Sequence, residues 1–385
     1  MLAKRSLLLL LMLSLLLLPL PACGSGGGGK PPVKIGALHD WTGSGAIPGA
    51  FYADRTIKLV EKQVKDMGGI LGGREVQFNK YDGNSTTSGI LTAANKALFA
   101  DKMPVLVWGG TSSVNGEVLS SFAEDNKVLF IDLSILPTDI SNLKYTLRGG
   151  LQYDELDVMA EYAVKALKAK KVAILNTDLE ESHQFASSWE QIVEASGGNI
   201  VYKDFTAVDI IDFTPYLTKI KYYNPDVLLT NLDYGGYTLM VQQIAGIGGW
   251  GDIKVMATMP SNWQVSKPVV EGWYIYARWV SGLDNPSSQK FEQDYRAMYG
   301  IVPDGTLEMM YDMLWLAIKA IELAGTVKDR VAIATAVRSG NLSLDTPLGY
   351  VNWGTDGESV QKLGLLAHVE GGKLVPVQMP ELPKG

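Results

Sequence analysis

Short apolar runs alternate with longer helix-like stretches along the chain from residue 33 onward. The strand-like run at 33–38 is followed by a helix-like stretch at 53–67 and by a second strand-like run at 76–78. The same alternation starts again at 172–175, after a helix-like stretch at 154–168. Strands that alternate with helices typically form parallel sheets in βαβ units. The sequence therefore predicts an α/β protein with two Rossmann-like lobes.

A long apolar stretch late in the chain indicates that each lobe is built from separate parts of the sequence. Residues 307–323 are apolar at nearly all positions and are predicted to form a helix in the core of the first lobe. We expect the chain to cross between the lobes near 145–150, 272–282 and 347–351. The predicted lobes are 33–147 plus 279–346 (N-terminal) and 148–278 plus 347–379 (C-terminal). Three crossings form a hinge, and open α/β sheets bind ligands at the carboxyl ends of their strands.

The first residues have the pattern of a secretory signal. Lys4 and Arg5 precede an apolar run at 7–18, which is shorter than the roughly 20 residues of a membrane-spanning helix. Cys23 is the only cysteine in the 385 residues, and its position after Leu20-Pro21-Ala22 resembles the bacterial lipobox. We therefore expect residues 1–22 to be a lipoprotein signal peptide and Cys23 to carry the lipid.

The composition agrees with a globular body on a short tether. Residues 23–32, rich in glycine and proline, are expected to behave as a flexible tether to the cell membrane, on its periplasmic or cell-surface side. Removal of Lys4 and Arg5 with the signal takes the formal net charge from −7 to −9, which makes nucleic acid a poor partner. No second apolar run is long enough to span a bilayer, so membrane contact is expected only through the lipid anchor.

The sequence lacks the motifs of the common enzyme classes. The glycines at 68–73 precede a strand instead of following one, and no phosphate-binding loop is present. His39, His183 and His368 lie far apart, which leaves no zinc-type constellation. Ser112 lacks the Gly-x-Ser-x-Gly sequence of serine hydrolases. We expect a protein that is not an enzyme and holds no metal or cofactor.

Several short motifs occur in a particular order between residues 33 and 377. They are Ile35-Gly36-Ala37-Leu38, Trp41-Thr42-Gly43, Gly68-Gly69-Ile70-Leu71-Gly72, Gly109-Gly110-Thr111-Ser112-Ser113, Asn224-Pro225-Asp226, Tyr311-Asp312 and Thr346-Pro347-Leu348-Gly349. With these motifs the chain resembles the bacterial leucine/isoleucine/valine-binding proteins. The resemblance implies the type I periplasmic binding protein fold and a role as the substrate receptor of an ABC importer, acting with the importer's permease and ATPase subunits.

The resemblance also implies ligand contacts in the first lobe. In the family, a serine after the fourth strand and its neighbours bind the α-carboxylate of the ligand, and Ser112 with Ser113 match them. A helix N-terminus at this position favours an anion, although Ser112 could instead be an ordinary N-cap. Trp41 matches a position that covers the ligand. Ser134 is the candidate contact in the next segment, where Ile135 replaces the family's threonine.

The second lobe departs from the family pattern. Met259 stands where the family has an acidic residue that binds the ammonium group of the ligand. Glu181 stands where a Tyr-Gly pair normally begins, and Asp233 and Tyr234 stand where a tyrosine precedes a helix. These four residues are the candidate contacts, and the two acids could take over the ammonium. Alternatively, Glu181 lies in a solvated loop and Asp233 is the N-cap of the following helix.

The default ligand implied by the resemblance is a branched-chain or other hydrophobic amino acid, held by closure of the lobes. The departures at Ile135 and Met259 leave open a second class, an aromatic or aliphatic carboxylate or an amide that lacks the α-ammonium. A third alternative keeps the fold but makes the chain a ligand sensor that is not coupled to transport.

Overall fold

The computed structural model describes residues 30–43, 52–110, 112–134, 139–150, 153–248, 250–258, 261–361 and 364–377. The predicted signal peptide, Cys23 and residues 24–29 of the tether lie outside these ranges.

The described chain alternates strands and helices, as the sequence predicts. The strands are β1 (Val33–His39), β2 (Val76–Asp82), β3 (Val105–Trp108), β4 (Leu129–Asp132), β5 (Thr146–Arg148), β6 (Lys171–Thr177), β7 (Asn199–Thr206), β8 (Val227–Asn231), β9 (Lys254–Thr258), β10 (Tyr274–Ala277), β11 (Ser343–Thr346), β12 (Gly349–Asn352), β13 (Leu365–Glu370) and β14 (Lys373–Pro376). The α-helices are α1 (Asp54–Asp66), α2 (Thr87–Asn95), α3 (Ser113–Asn126), α4 (Asp157–Lys165), α5 (Glu180–Ala195), α6 (Thr214–Tyr223), α7 (Tyr234–Gly246), α8 (Asn262–Val265), α9 (Pro286–Tyr299), α10 (Gly305–Ala324) and α11 (Arg330–Val337). A π-helix (Lys96–Ala100) extends α2, and 3-10 turns occur at Tyr153–Leu156 and Pro268–Val270.

The first lobe is built on a parallel five-stranded sheet in the order β2-β1-β3-β4-β5. Helices α1 and α10 cover one face, and α2 and α3 cover the other. Helix α1 packs by the buried side chains of Ile57, Val60 and Val64, whose spacing of three and four residues places them on one side of the helix. The apolar helix predicted at 307–323 is α10, and its buried residues belong to the same core.

The second lobe contains a seven-stranded sheet in the order β14-β13-β10-β9-β8-β6-β7. Five strands are parallel, as predicted, but β13 and β14 run antiparallel to their neighbours. The pairing of β13 with β14 follows from the connection between these two strands, because Gly371 and Gly372 form a tight turn with φ of 59° and 71°. Such a turn joins only antiparallel strands, and its positive φ angles favour glycine.

Three chain crossings between the sheets form the predicted hinge, after β5, after β10 and beyond the β11–β12 hairpin. Two contacts tie the first crossing to the third. The indole of Trp353 donates to the backbone oxygen of Arg148 at 2.9 Å, and Arg148 Nε lies 2.7 Å from Oε2 of Glu358. The described residues contain no helix that is long and apolar enough to cross a membrane.

The core of the second lobe includes Trp189 on α5, which is fully buried and donates from its indole to the backbone oxygen of Leu156 at 3.0 Å. We predict that Trp189→Ala lowers the free energy of unfolding by about 3–5 kcal/mol, because it leaves a large cavity and an unpaired carbonyl. Urea denaturation measures this, with Tyr222→Ala as the control, since Tyr222 is 84% exposed. A loss below about 1 kcal/mol for Trp189→Ala would contradict the packing described.

Candidate functional site

The N-terminus of α3 lies at the carboxyl end of β3, where the first sheet faces the second lobe. Ser112 is the N-cap of this helix, and its Oγ accepts a hydrogen bond from the backbone N–H of Asn115 at 3.3 Å. The capping role that the sequence left open is therefore present. The remaining free N–H groups of the first turn and the helix dipole favour an anion at this point.

Ser113, the next residue, forms a direct contact between the lobes. Its buried Oγ donates to Oε1 of Glu181 at 3.2 Å, and Glu181 lies in the first turn of α5 in the second lobe. Burial raises the pKa of the Glu181 carboxyl, while hydrogen bonds from its own backbone and from Ser113 oppose the rise. Glu181 is thus half-buried in the cleft and does not lie in a solvated loop.

Trp41 is held at the carboxyl end of β1 by the carboxylate of Asp82. The backbone N–H groups of Trp41 and Thr42 donate to Oδ1 of Asp82 at 3.0 and 3.2 Å. The half-buried ring lies under Nζ of Lys80, 4.7 Å from the ring centroid, and 5.3 Å from the ring of His39. Its indole N–H has no hydrogen-bond partner among the described residues. The sequence prediction of an aromatic wall at this position stays a prediction.

His39 lies beside Trp41 and is a candidate site residue that the sequence reasoning did not propose. It is the last residue of β1 and is buried, and its ring lies 6.1 Å from that of Trp108 on the neighbouring strand. Burial lowers the pKa of His39 to about 4, so the ring is neutral near pH 7. Its position at the carboxyl end of β1 was the signal in the sequence that could have marked His39 as a candidate.

Ser134 is buried and pairs with the carboxyl group of Asp132 at the end of β4. Its backbone N–H donates to Oδ1 at 2.8 Å, and its Oγ lies 2.8 and 3.0 Å from the two carboxyl oxygens. Burial raises the pKa of Asp132 to about 7, opposed by the Ser134 hydrogen bonds and by the positive charge of Arg148. A ligand contact by Ser134 remains a prediction, because its donors are already engaged. Residues 135–138, including Ile135, lie outside the described ranges.

Asp233 is the N-cap of α7, the alternative that the sequence reasoning had kept open. Its Oδ1 accepts from the backbone N–H of Gly236 at 2.6 Å, and the side chain is exposed. Tyr234 is the first residue of α7. Met259 lies outside the described residues. Of the second-lobe candidates, Glu181 is the one for which a contact to the first lobe is described.

A buried polar network, not predicted from the sequence, fixes the helix that carries Glu181. Asn176 at the end of β6 donates to the backbone oxygen of Ser182 at 3.1 Å, and its own Oδ1 accepts from the N–H of Asn231 at 2.8 Å. Asn231 in turn donates to Oγ of Ser182 at 3.2 Å and accepts from Thr258 Oγ1 at 2.6 Å. The ends of β6, β8 and β9 and the first turn of α5 are thereby held together.

A second contact between the lobes lies beside the hinge. The backbone N–H of Asn262 donates to Oδ2 of Asp304 at 2.8 Å, and its side chain donates to the backbone oxygen of Pro303 at 3.2 Å. A cavity of about 670 Å³ adjoins this contact, with walls that include Tyr52, Val265, Trp279, Tyr295, Val302 and Leu307. The described residues provide no cluster of three histidine, cysteine or carboxylate side chains that could hold a metal ion.

Two α/β lobes on a three-crossing hinge, with polar and aromatic side chains at the facing strand ends, form the architecture of a solute-binding protein. The sequence model of the periplasmic binding protein family matches residues 32–373, and the chain belongs to that family. This confirms the predicted fold class.

Relatives with known structures or names agree with this membership. The Leu/Ile/Val-binding protein BraC3 of Rhizobium johnstonii is 27% identical over 90% of this chain and 94% of its own length. The leucine-binding protein LivK of Thermotoga maritima has a TM-score of 0.78 at 23% identity, covering 90% of this chain and 98% of that one. An ABC transporter solute-binding protein of R. palustris, solved with benzoate, has a TM-score of 0.78 at 21% identity, covering 90% and 95%. The chain is accordingly an extracytoplasmic binding protein of the periplasmic family and not an enzyme.

Asp132 provides a test of the site's electrostatics. A carboxyl whose pKa is raised to about 7 in the folded protein keeps a proton that the unfolded chain releases near pH 4. Its contribution to stability is therefore present in acid and is lost as the pH rises through about 7, by on the order of a few kcal/mol. We predict that Asp132→Asn removes this part of the pH dependence of the unfolding free energy. The exposed Asp125→Asn is the control, and an identical pH profile in all three proteins would rule the assignment out.

Proposed function

We propose that this protein captures a branched-chain or other hydrophobic amino acid between its lobes and presents the closed form to the permease and ATPase subunits of an ABC importer. The lobes are the predicted segments 33–147 with 279–346 and 148–278 with 347–379. The body is held at the outer face of the cell membrane by lipidated Cys23 and the tether at 23–32. A ligand that touches both lobes stabilises the closed form by its difference in affinity for the two states.

The observation that carries this proposal is the contact between Ser113 and Glu181. It brings two opposite recognition elements to one point of the cleft. The N-terminus of α3 suits the α-carboxylate of an amino acid, and the Glu181 carboxylate suits its ammonium. The ammonium takes the place of Ser113 as the partner of Glu181, and Trp41 covers the apolar side chain. The family resemblance of the named relatives, two of them called leucine- or Leu/Ile/Val-binding proteins, supports the same ligand class.

A second candidate ligand is an aromatic carboxylate without an ammonium. Burial raises the pKa of Glu181, so a proton on this carboxyl is more easily kept than on an exposed one. A protonated Glu181 donates a hydrogen bond to a carboxylate instead of pairing with an ammonium. The rings of Trp41 and His39 offer an aromatic wall, and the R. palustris relative of the same fold was solved with benzoate.

A ligand panel distinguishes the two classes. The chain from Lys30 onward is unfolded, freed of any carried-over ligand, refolded, and melted with leucine, isoleucine, valine, 4-methylpentanoate or benzoate. A ligand at 100 times its dissociation constant stabilises the fold by about 2.7 kcal/mol, a clear rise in melting temperature. We expect the rise with the amino acids and not with 4-methylpentanoate, which is leucine without its amino group. A rise with benzoate or 4-methylpentanoate alone would favour the second class, and no rise with any of them would reject both.

Glu181 is the residue whose substitution tests the ammonium contact. We predict that Glu181→Gln weakens leucine binding by about 1.5–3 kcal/mol, or roughly 10- to 150-fold, because the charge-assisted bond to the ammonium is lost. Calorimetric titration measures the affinity. Glu180→Gln is the matched control, since Glu180 is the adjacent, exposed acid of the same helix turn. Equal affinities for both variants would show that the ammonium binds elsewhere.

A further inference from the structure

A cluster of charged side chains is buried at the hinge, apart from the ligand cleft. Its members, each at most 5% exposed, are Glu155, Tyr276, Arg278, Glu308 and Asp312. Tyr276 donates from its hydroxyl to Oε2 of Glu155 at 2.7 Å, and Arg278 Nη1 lies 3.3 Å from the same oxygen. On its other side, Arg278 Nε lies 3.8 Å from Oε2 of Glu308.

The members of this hinge cluster come from both sides of the chain crossings. Arg278 directly follows β10, where the chain leaves the second sheet. Glu155 lies in the 3-10 turn that opens the second lobe after the first crossing, whereas Glu308 lies in the first turn of α10 in the first lobe. Arg278 therefore joins a carboxylate of one lobe to a carboxylate of the other. A rotation of the lobes changes at least one of these two distances.

The charges in the cluster do not balance. Among the described residues of the cluster, three carboxyl groups and one guanidinium carry a net charge of −2 when all four are ionised. Glu308 and Asp312 are four residues apart on α10 and therefore lie on the same side of the helix. Burial, reinforced by the neighbouring Glu308, raises the pKa of Asp312 well above its usual value. Burial likewise raises the pKa of Glu308, although Arg278 opposes it.

The groups that face the pair are few. Arg278 and Glu155 are the charged groups, from the second crossing and the second lobe. Tyr311 on α10 and Tyr276 on β10 are the neighbouring phenols, and burial raises the pKa of both. Strand β11 contributes the uncharged Thr346, which is buried at the end of that strand. Among the described residues, none donates a hydrogen bond of normal geometry to the four carboxyl oxygens of Glu308 and Asp312. Arg278 nevertheless favours the ionised form of Glu308, and Thr346 favours that of Asp312.

We propose that Glu308 and Asp312 share one proton in the closed protein and that release of this proton at alkaline pH opens the hinge. A deprotonated pair needs water around its second charge, and the closed cluster keeps it buried. An open hinge that admits water satisfies the ionised pair better than the closed hinge. The closed form thus binds the proton more tightly, so a rise in pH shifts the population toward the open form.

The test measures the distance between the lobes without any ligand, so it is independent of the proposed function. The chain from Lys30 onward contains every described helix and strand and has no cysteine, since Cys23 is the only one. Ser88→Cys and Asp209→Cys place one fluorophore on each lobe, at exposed positions after the carboxyl ends of β2 and β7. Energy transfer between them is recorded from about pH 6 to about pH 10.

In this labelled protein we expect the ratio of closed to open molecules to fall at least about threefold over the range, and Asp312→Asn to abolish the fall. Glu308→Gln is the second variant and serves if Asp312→Asn does not fold. Glu322→Gln is the matched control, a partly exposed acid at the far end of the same helix that pairs with Lys319. A constant ratio in the parent, or the same fall in the parent and in both amide variants, overturns the proposal.

Discussion

Parallel strands end at one edge of their sheet, and the functional arrangement of this protein depends on that constraint. Strands β1, β3 and β4 deliver Trp41, Ser112 and Asp132 to one edge, and β6 delivers the first turn of α5 to the facing edge. Each helix that follows such a strand also turns its N-terminus toward the cleft. The cleft is thus lined by free N–H groups and by the positive ends of helix dipoles, and this favours anions before any side chain is considered.

The carboxylate of Glu181 belongs to this pattern, because it lies in the first turn of α5 and contacts the first turn of α3. Two helix N-termini therefore stabilise its charge, whereas burial acts against it. Ser113 donates a hydrogen bond to the Glu181 carboxyl in the described structure, so a ligand that enters here must replace that bond with a stronger one. An ammonium does so, because it adds the attraction of a full positive charge to the carboxylate, whereas the Ser113 hydroxyl is uncharged.

The sequence was sufficient for the fold, whereas the ligand contacts that it suggests stay predictions. The alternation of short apolar runs with helix-like stretches located the strands and helices. The strands of a parallel sheet are buried on both faces, so each strand is a continuous apolar run. The antiparallel β13 and β14 were missed, since only the turn at Gly371 and Gly372 distinguishes them from parallel strands. The sequence left two alternatives open for Ser112 and Asp233, a ligand contact or a helix N-cap. The residue at which each helix begins shows that both are N-caps. The hinge cluster could not be predicted, because its carboxyl groups and Arg278 lie far apart in the sequence and meet only through the three crossings.

The hinge and the cleft use buried carboxyl groups in opposite ways. In the cleft, Glu181 is partly accessible and gains a partner when a ligand arrives, so its burial has a cost that the ligand offsets. In the hinge, Glu308 and Asp312 are buried near the guanidinium of Arg278. Replacing such a buried ionic group by apolar side chains is often neutral or stabilising, so stability alone does not account for it. What the cluster adds is a link between the lobes that depends on their relative position, because Arg278 lies 3.3 Å from Glu155 of one lobe and 3.8 Å from Glu308 of the other.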